Sequence, residues 1–210
     1  MKRFLVMALF CLPLAIAHAQ TTARMLIGMS GYTMVGEPEL DVEPVFRLAG
    51  GGGIQYELTP NLGLRGELRY TIQGGRFSGT IPGNDRQPIP VDATFDLTYL
   101  EVPFMVVGGL DILRATRIEV GAGPAIAIKV DTRNTFSAET GPEIGQGVDA
   151  PPNYKGWTAM FDVMFPVRGE RVLLGLRLWR ATSSAGLEET VPGSEDLRTA
   201  GVTLVSGVSF

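Results

Sequence analysis

Past a Thr59-Pro60-Asn61 turn, Leu62, Leu64, Gly66, Leu68 and Tyr70 alternate with Gly63, Arg65, Glu67, Arg69 and Thr71. A period of two marks a strand with two different faces, here one apolar and one carrying Arg-Glu-Arg. The same alternation recurs. Ile118, Val120, Ile126, Ile128 and Val130 oppose Arg117, Glu119, Gly121, Gly123 and Lys129. Trp157, Ala159, Phe161, Val163 and Phe165 oppose Thr158, Met160, Asp162 and Met164, and Val172, Leu174, Leu176 and Leu178 oppose Gly175, Arg177 and Trp179. Near the end, Val202, Leu204, Val208 and Phe210 share a face. No long segment holds a helical period. Short β-rich runs between turn signals predict eight strands at roughly 24–35, 45–58, 62–77, 94–110, 114–131, 155–167, 170–183 and 198–210.

The predicted connections sort by length. Thr59-Pro60-Asn61, Asp111 to Leu113 and Arg168-Gly169 are tight, whereas 36–44, 78–93, 132–154 and 184–197 are long and rich in Pro, Gly and acid. Tight and long alternate strictly, so an up-and-down barrel would have one trimmed rim and one elaborated rim. That asymmetry predicts an all-β, eight-stranded antiparallel up-and-down transmembrane β-barrel with short periplasmic turns and longer extracellular loops. A lipocalin-like soluble barrel has the same alternation inverted. Three features favour the membrane orientation. Gly51, Gly53, Gly63, Gly121, Gly123 and Gly175 lie on the polar face, as a crowded lumen requires. The apolar face repeats Leu, Ile, Val, Trp and Phe, with Tyr and Trp near strand ends placed for interfacial belts. The chain also ends on the strand residue Phe210. Pro103, Pro124 and Pro166 each remove a ladder hydrogen bond and are the candidate bulge positions.

The first residues change the chemistry available. Lys2 and Arg3, the apolar run Phe4 to Ala17 and the small-x-small Ala17-His18-Ala19 have the layout of a secretory signal, with cleavage expected after Ala19. Residues 1–19 are then the signal peptide and 20–210 one outer-membrane barrel domain, exported to the outer membrane of a Gram-negative bacterium. The single cysteine (Cys11) and single histidine (His18) leave with that segment, as do two of the 18 basic residues. The remaining charge is 16 − 22 = −6. An acidic chain without a basic cluster argues against nucleic acid as a partner. Without imidazole or thiol, Ser-His-Asp and Cys-His catalysis and nearly all zinc constellations are excluded.

The polar faces collect Arg47, Arg65, Arg69, Arg117, Lys129 and Arg177 against Glu57, Glu67, Asp96, Glu101, Glu119 and Asp162. Charges inside a narrow barrel need partners, so a balanced set predicts a plugged lumen rather than a pore. Acid-base work by Glu67 with Glu101 is the competing reading of two of these residues. The four long loops hold thirteen of the 22 acids and two bases, Arg86 and Arg133. They form a solvated rim or, alternatively, a divalent-cation site centred on Glu188, Glu189, Glu195 and Asp196. Gly50 to Gly53 lacks the following helix and lysine of a phosphate loop. No cofactor is expected.

Four stretches carry a family resemblance: A-G-G-G-G-I-Q-Y-E-L (49–58) running into L-G-L-R-G-E-L-R-Y, L-T-Y-L-E-V-P-F-M-V (97–106), G-A-G-P-A-I-A (121–127) and G-V-T-L-V-S-G-V-S-F (201–210). In them the chain resembles the PorT family of small outer-membrane β-barrels of the Bacteroidetes. The resemblance implies the fold and the location, membrane lipid as surroundings, and a terminal aromatic, Phe210, read by the barrel-assembly machinery. It implies no site residues. Three roles are compatible with it: a non-enzymatic structural or interaction barrel, an accessory of a protein-secretion or surface-assembly system, and a narrow solute channel. A soluble periplasmic lipocalin-like binder is the alternative should the greasy face point inward.

Overall fold

The computed structural model describes residues 20–35, 42–82, 88–113, 116–138, 153–182 and 198–210. The predicted signal segment 1–19 and the candidate cation residues Glu188, Glu189, Glu195 and Asp196 lie outside the described residues.

Eight strands form one closed antiparallel barrel in chain order: β1 (Thr21–Val35), β2 (Val42–Thr59), β3 (Leu62–Pro82), β4 (Pro88–Leu113), β5 (Thr116–Ala138), β6 (Asn153–Val167), β7 (Glu170–Ala181) and β8 (Arg198–Ser209). Closure comes from β1 pairing with β8, from Arg24 opposite Ser209 to Val35 opposite Arg198. Beyond it, Ala23 and Phe210 exchange both backbone hydrogen bonds, at 2.9 and 3.1 Å. A closed sheet leaves no edge, which is what lets strands cross a bilayer with every backbone group paired.

Burial follows the predicted parity. Leu64, Leu68, Val120, Ile126, Trp157, Leu174 and Leu204 are exposed on the outside, while Arg65, Glu67, Arg69, Glu119, Asp162 and Arg177 are buried within. A soluble barrel needs the reverse. Apolar outside and polar inside is the pattern of a barrel whose surrounding solvent is lipid.

Two of the three tight turns are as the sequence indicates, whereas Asp111 to Leu113, read as the third, is the end of β4, with Asp111 paired to Arg117 and Leu113 to Thr116. Arg168 and Gly169 both have positive φ, 52° and 96°, as a two-residue hairpin demands because those turns match the twist of the strands. At the β2–β3 turn, the Asn61 N–H donates to Thr59 Oγ1 at 3.3 Å, and the Gly109 N–H donates to the Asn61 carbonyl at 2.9 Å.

Two further expectations need correction. The stretches 78–82, 88–93 and 132–138, read as loop, are strand: Ser78 pairs with Asp92, Pro82 with Pro88, and Val91 with Ala138. Prolines 82, 88 and 90 made this segment look like loop. Pro88 and Pro90 precede Val91, the first residue of β4 paired with β5 among the described residues, so a missing N–H there breaks no ladder bond between the described residues of β4 and β5. The barrel wall is therefore tallest along β3, β4 and β5, whose strands run 21, 26 and 23 residues against 12 for β7 and β8. The second correction concerns bulges. The register runs straight through Pro103, Pro124 and Pro166 and slips instead between Pro44 and Gly50, Glu57 and Thr59, Thr98 and Tyr99, and Asp111 and Leu113.

Candidate functional site

The alternation of eight strands sends their polar side chains into a tube only wide enough for side chains to fill. At its middle the charges meet. The Arg65 guanidinium donates to Asp162 Oδ2 at 2.7 Å, to Gln55 Oε1 at 2.9 Å, and to Glu119 Oε2. Arg177 donates to both Asp162 carboxylate oxygens and to Glu67, the last at 3.1 and 3.3 Å. Arg24 enters from β1, with Nη2 2.9 Å from Glu119 Oε2 and 3.1 Å from Gln55 Oε1. Arg117 closes the turn side, donating to Glu119 at 2.9 Å and to the Pro60 carbonyl at 2.9 Å. Toward the loops, Arg69 lies 3.0 Å from Glu101 Oε2. The other Glu101 oxygen accepts from Tyr32 at 2.8 Å, Thr71 at 3.0 Å and Gln73 at 2.8 Å, and Gln73 in turn accepts from Tyr154.

The structure thus joins Arg65, Glu67, Arg69, Glu101, Arg117, Glu119, Asp162 and Arg177 of the predicted lumen set through bonded contacts. Arg47 and Lys129 are half-buried toward the loop end and Glu57 toward the turn end; the side chain of Asp96 lies outside those described. The expected six-against-six tally becomes, among the described and buried groups, five arginines against four carboxylates. Asp111, on the turn rim 3.6 Å from Arg117, supplies a fifth acid from an exposed position. Arg24 went unrecognised in the sequence, although its signal was there: it shares inward parity with Leu26, Ser30 and Tyr32, all buried.

Glycines make this packing possible. A Cβ at Gly109 would lie 2.5 Å from the Arg117 guanidinium, and one at Gly175 would overlap Asp162 Oδ1. At Gly51, Gly63, Gly121 and Gly123, by contrast, a Cβ would first meet a backbone carbonyl of the neighbouring strand, so there the glycine gives clearance to main chain.

Above the charges the lumen changes character. Tyr32, Tyr99, Tyr154 and Trp179 are buried together with Leu97, Ala125, Ala127 and Ala181. Tyr154 meets Tyr99 edge-on, with ring centroids 4.7 Å apart, and Trp179 at 5.7 Å. This corrects the aromatic-belt expectation: Tyr70 and Trp157 do face outward, but these four rings turn inward. Their parity is that of the polar residues, and Gly201 under Tyr32 and Gly156 under Trp179 leave them room.

Chemically, the site is a set of paired cations and anions in which Arg24 Nε and Nη1, Arg69 Nε and Glu101 Oε2 are buried without a hydrogen-bond partner among the described residues. The Glu67 and Glu101 carboxylates, the candidate acid-base pair, are both engaged by arginines.

Comparison with known proteins agrees with the fold. The family model of the outer membrane protein beta-barrel domain matches residues 19–205. No curated protein matches the sequence significantly. Among solved structures, Neisserial surface protein A (NspA) is 12% identical, with 91% of this chain and 99% of that chain covered at a TM-score of 0.48. OprG from Pseudomonas aeruginosa is 8% identical over 90% and 95% of the two chains at 0.49. Ail, the attachment invasion locus protein of Yersinia pestis, is 14% identical over 91% and 99% at 0.43.

Proposed function

The chain belongs to the outer membrane protein beta-barrel domain family, and from that premise we propose that it is a non-enzymatic interaction barrel: a plugged, rigid cylinder that presents its loop end to a partner. The observation that carries this reading is the bonded charge network across the lumen. Arg65 alone reaches Gln55, Glu67, Glu119 and Asp162, which come from four different strands. A wire of ion pairs strung between walls holds the cylinder closed and leaves solutes no path. Catalysis is disfavoured because residues 20–210 contain neither histidine nor cysteine and the lumen carboxylates are occupied by arginines. Purified protein in a planar lipid bilayer is expected to give no unitary current steps. Reproducible steps from a folded sample would overturn the plugged reading in favour of a solute channel.

Export in this reading uses the signal segment cleaved after Ala19, and assembly uses Phe210, which sits exposed at the end of the closing strand. A second reading, an accessory of a protein-secretion or surface-assembly complex of the PorT kind, draws support from the acid-rich segments 36–41, 83–87, 139–152 and 182–197, with eleven acids to one base. Crosslinking in cells separates it from the first. Recovery of a defined envelope complex supports the accessory role, and recovery of only assembly factors and lipid argues against it.

A further inference from the structure

The outer wall is not uniform at its loop-side border. On β6, β7 and β8 the outward residues form rows: Phe161, Leu176 and Leu204, then Ala159, Leu178 and Val202, then Trp157, Arg180 and Ala200. One step further toward the loops stand Lys155, whose carbonyl accepts from the Thr182 N–H at 2.9 Å, and Arg198, paired with Val35 on β1. Lys155, Arg180 and Arg198 are all exposed, and Trp157 is 59% exposed beside them. Lys155 and Arg198 each lie diagonal to Arg180, so the backbone spacing between successive cations is about 7–8 Å. Among the described residues, no carboxylate meets any of the three side chains. On the adjoining β1 the matching positions are Thr33, opposite Ala200, and Val35, opposite Arg198, neither of them charged.

From this placement we infer that Lys155, Arg180 and Arg198 form a binding site for the phosphorylated headgroup of a lipid in the loop-side leaflet. The inference rests on the outer-membrane placement of the barrel. Leu178 and Val202 in the row below Arg180, with Trp157 beside it, give the acyl chains an apolar wall, and an indole at the border sits where one end of the ring is wet and the other dry. The bases reach upward from that wall into the headgroup layer, stems along apolar surface and charges in the polar zone. Two of the three are arginines, whose planar fork matches phosphate oxygens in pairs. A free anion has no use for the apolar wall, which is why the occupant is a lipid.

The test is native mass spectrometry of the full barrel released from neutral detergent, with diphosphorylated lipid A or phosphatidylcholine as probe. Wild type is expected to retain lipid A well below the concentration at which phosphatidylcholine is retained. With about 1 kcal/mol per basic residue near a charged membrane surface, Arg180→Gln should weaken retention of lipid A about fivefold. The triple substitution Lys155→Gln, Arg180→Gln, Arg198→Gln should weaken it on the order of a hundredfold. Arg171→Gln, exposed at the turn end, should leave it unchanged. Equal retention of the two lipids, an unaffected triple variant, or an equal loss from Arg171→Gln would overturn the site. Displacement of lipid A by the same concentration of inorganic phosphate would overturn the lipid as occupant. An unboiled gel sample migrating apart from a boiled one certifies a folded barrel. A wild-type protein without that shift would instead bring down the membrane placement itself. If the triple variant does not fold, Arg180→Gln alone decides the matter.

Discussion

The middle of the lumen and its loop-side half solve one packing problem in opposite ways. In the middle, Arg24, Arg65, Arg177, Glu67, Glu119 and Asp162 fill the tube with charge, and every group depends on partners from other strands. Toward the loops, Tyr32, Tyr99, Tyr154 and Trp179 fill it with rings whose contacts depend on shape, set against alanines and glycines. The two halves teach that a narrow barrel can be closed either by electrostatic matching or by steric matching. They differ in what breaks them: loss of a partner in the first, loss of space in the second. Glu101 is the hinge between them, with Arg69 on one oxygen and Tyr32 on the other.

The sharpest way to break the comparison is to remove a partner from the charged half. Asp162→Ala strips the carboxylate that Arg65 and Arg177 share and that Arg24 approaches at 3.6 Å. Uncompensated buried cations should lower stability by about 3–5 kcal/mol, read as a lower urea midpoint for unfolding from lipid vesicles. A loss below about 1 kcal/mol would mean that water or rearranged partners screen the network.

In the aromatic half the corresponding insult is volume. Gly201→Ala drives a methyl into the Tyr32 ring, and overpacking of this kind costs about 1–3 kcal/mol. Gly50→Ala is its control, because a Cβ there meets only the Leu26 carbonyl at an ordinary 3.7 Å; surface changes of that sort stay within about 0.5 kcal/mol. Equal effects of the two substitutions in the same unfolding assay would remove the steric half of the contrast.

The smallest effect tests the border. Tyr32→Phe deletes a 2.8 Å hydrogen bond to Glu101 while Thr71 and Gln73 still donate to the same oxygen. A loss of about 1 kcal/mol is expected. Thermal gel-shift midpoints resolve such a difference, and a neutral result would assign Tyr32 wholly to the aromatic half.

Much of this molecule is legible in its residue pattern. Strict alternation in β3, β5, β6 and β7 dictates two-faced strands, and the turn chemistry at Thr59-Pro60-Asn61 and Arg168-Gly169 dictates hairpins, because both signals are local. Which face each of Arg65, Glu119, Asp162 and Arg177 occupies follows from that local period. The register of distant strands does not. It placed Arg24 beside Glu119, made Asp162 the meeting point of three arginines, and carried strand pairing through the Pro-rich segment around Pro82 and Pro88. It also turned Tyr32, Tyr99, Tyr154 and Trp179 inward, where their parity pointed but their reputation as border residues did not. Periodicity is a property of neighbours along the chain, so the sequence determined the faces. Pairing is a property of strands brought together from far along the chain, with Arg24 and Ser209 185 residues apart, so only the closed barrel decided who meets whom.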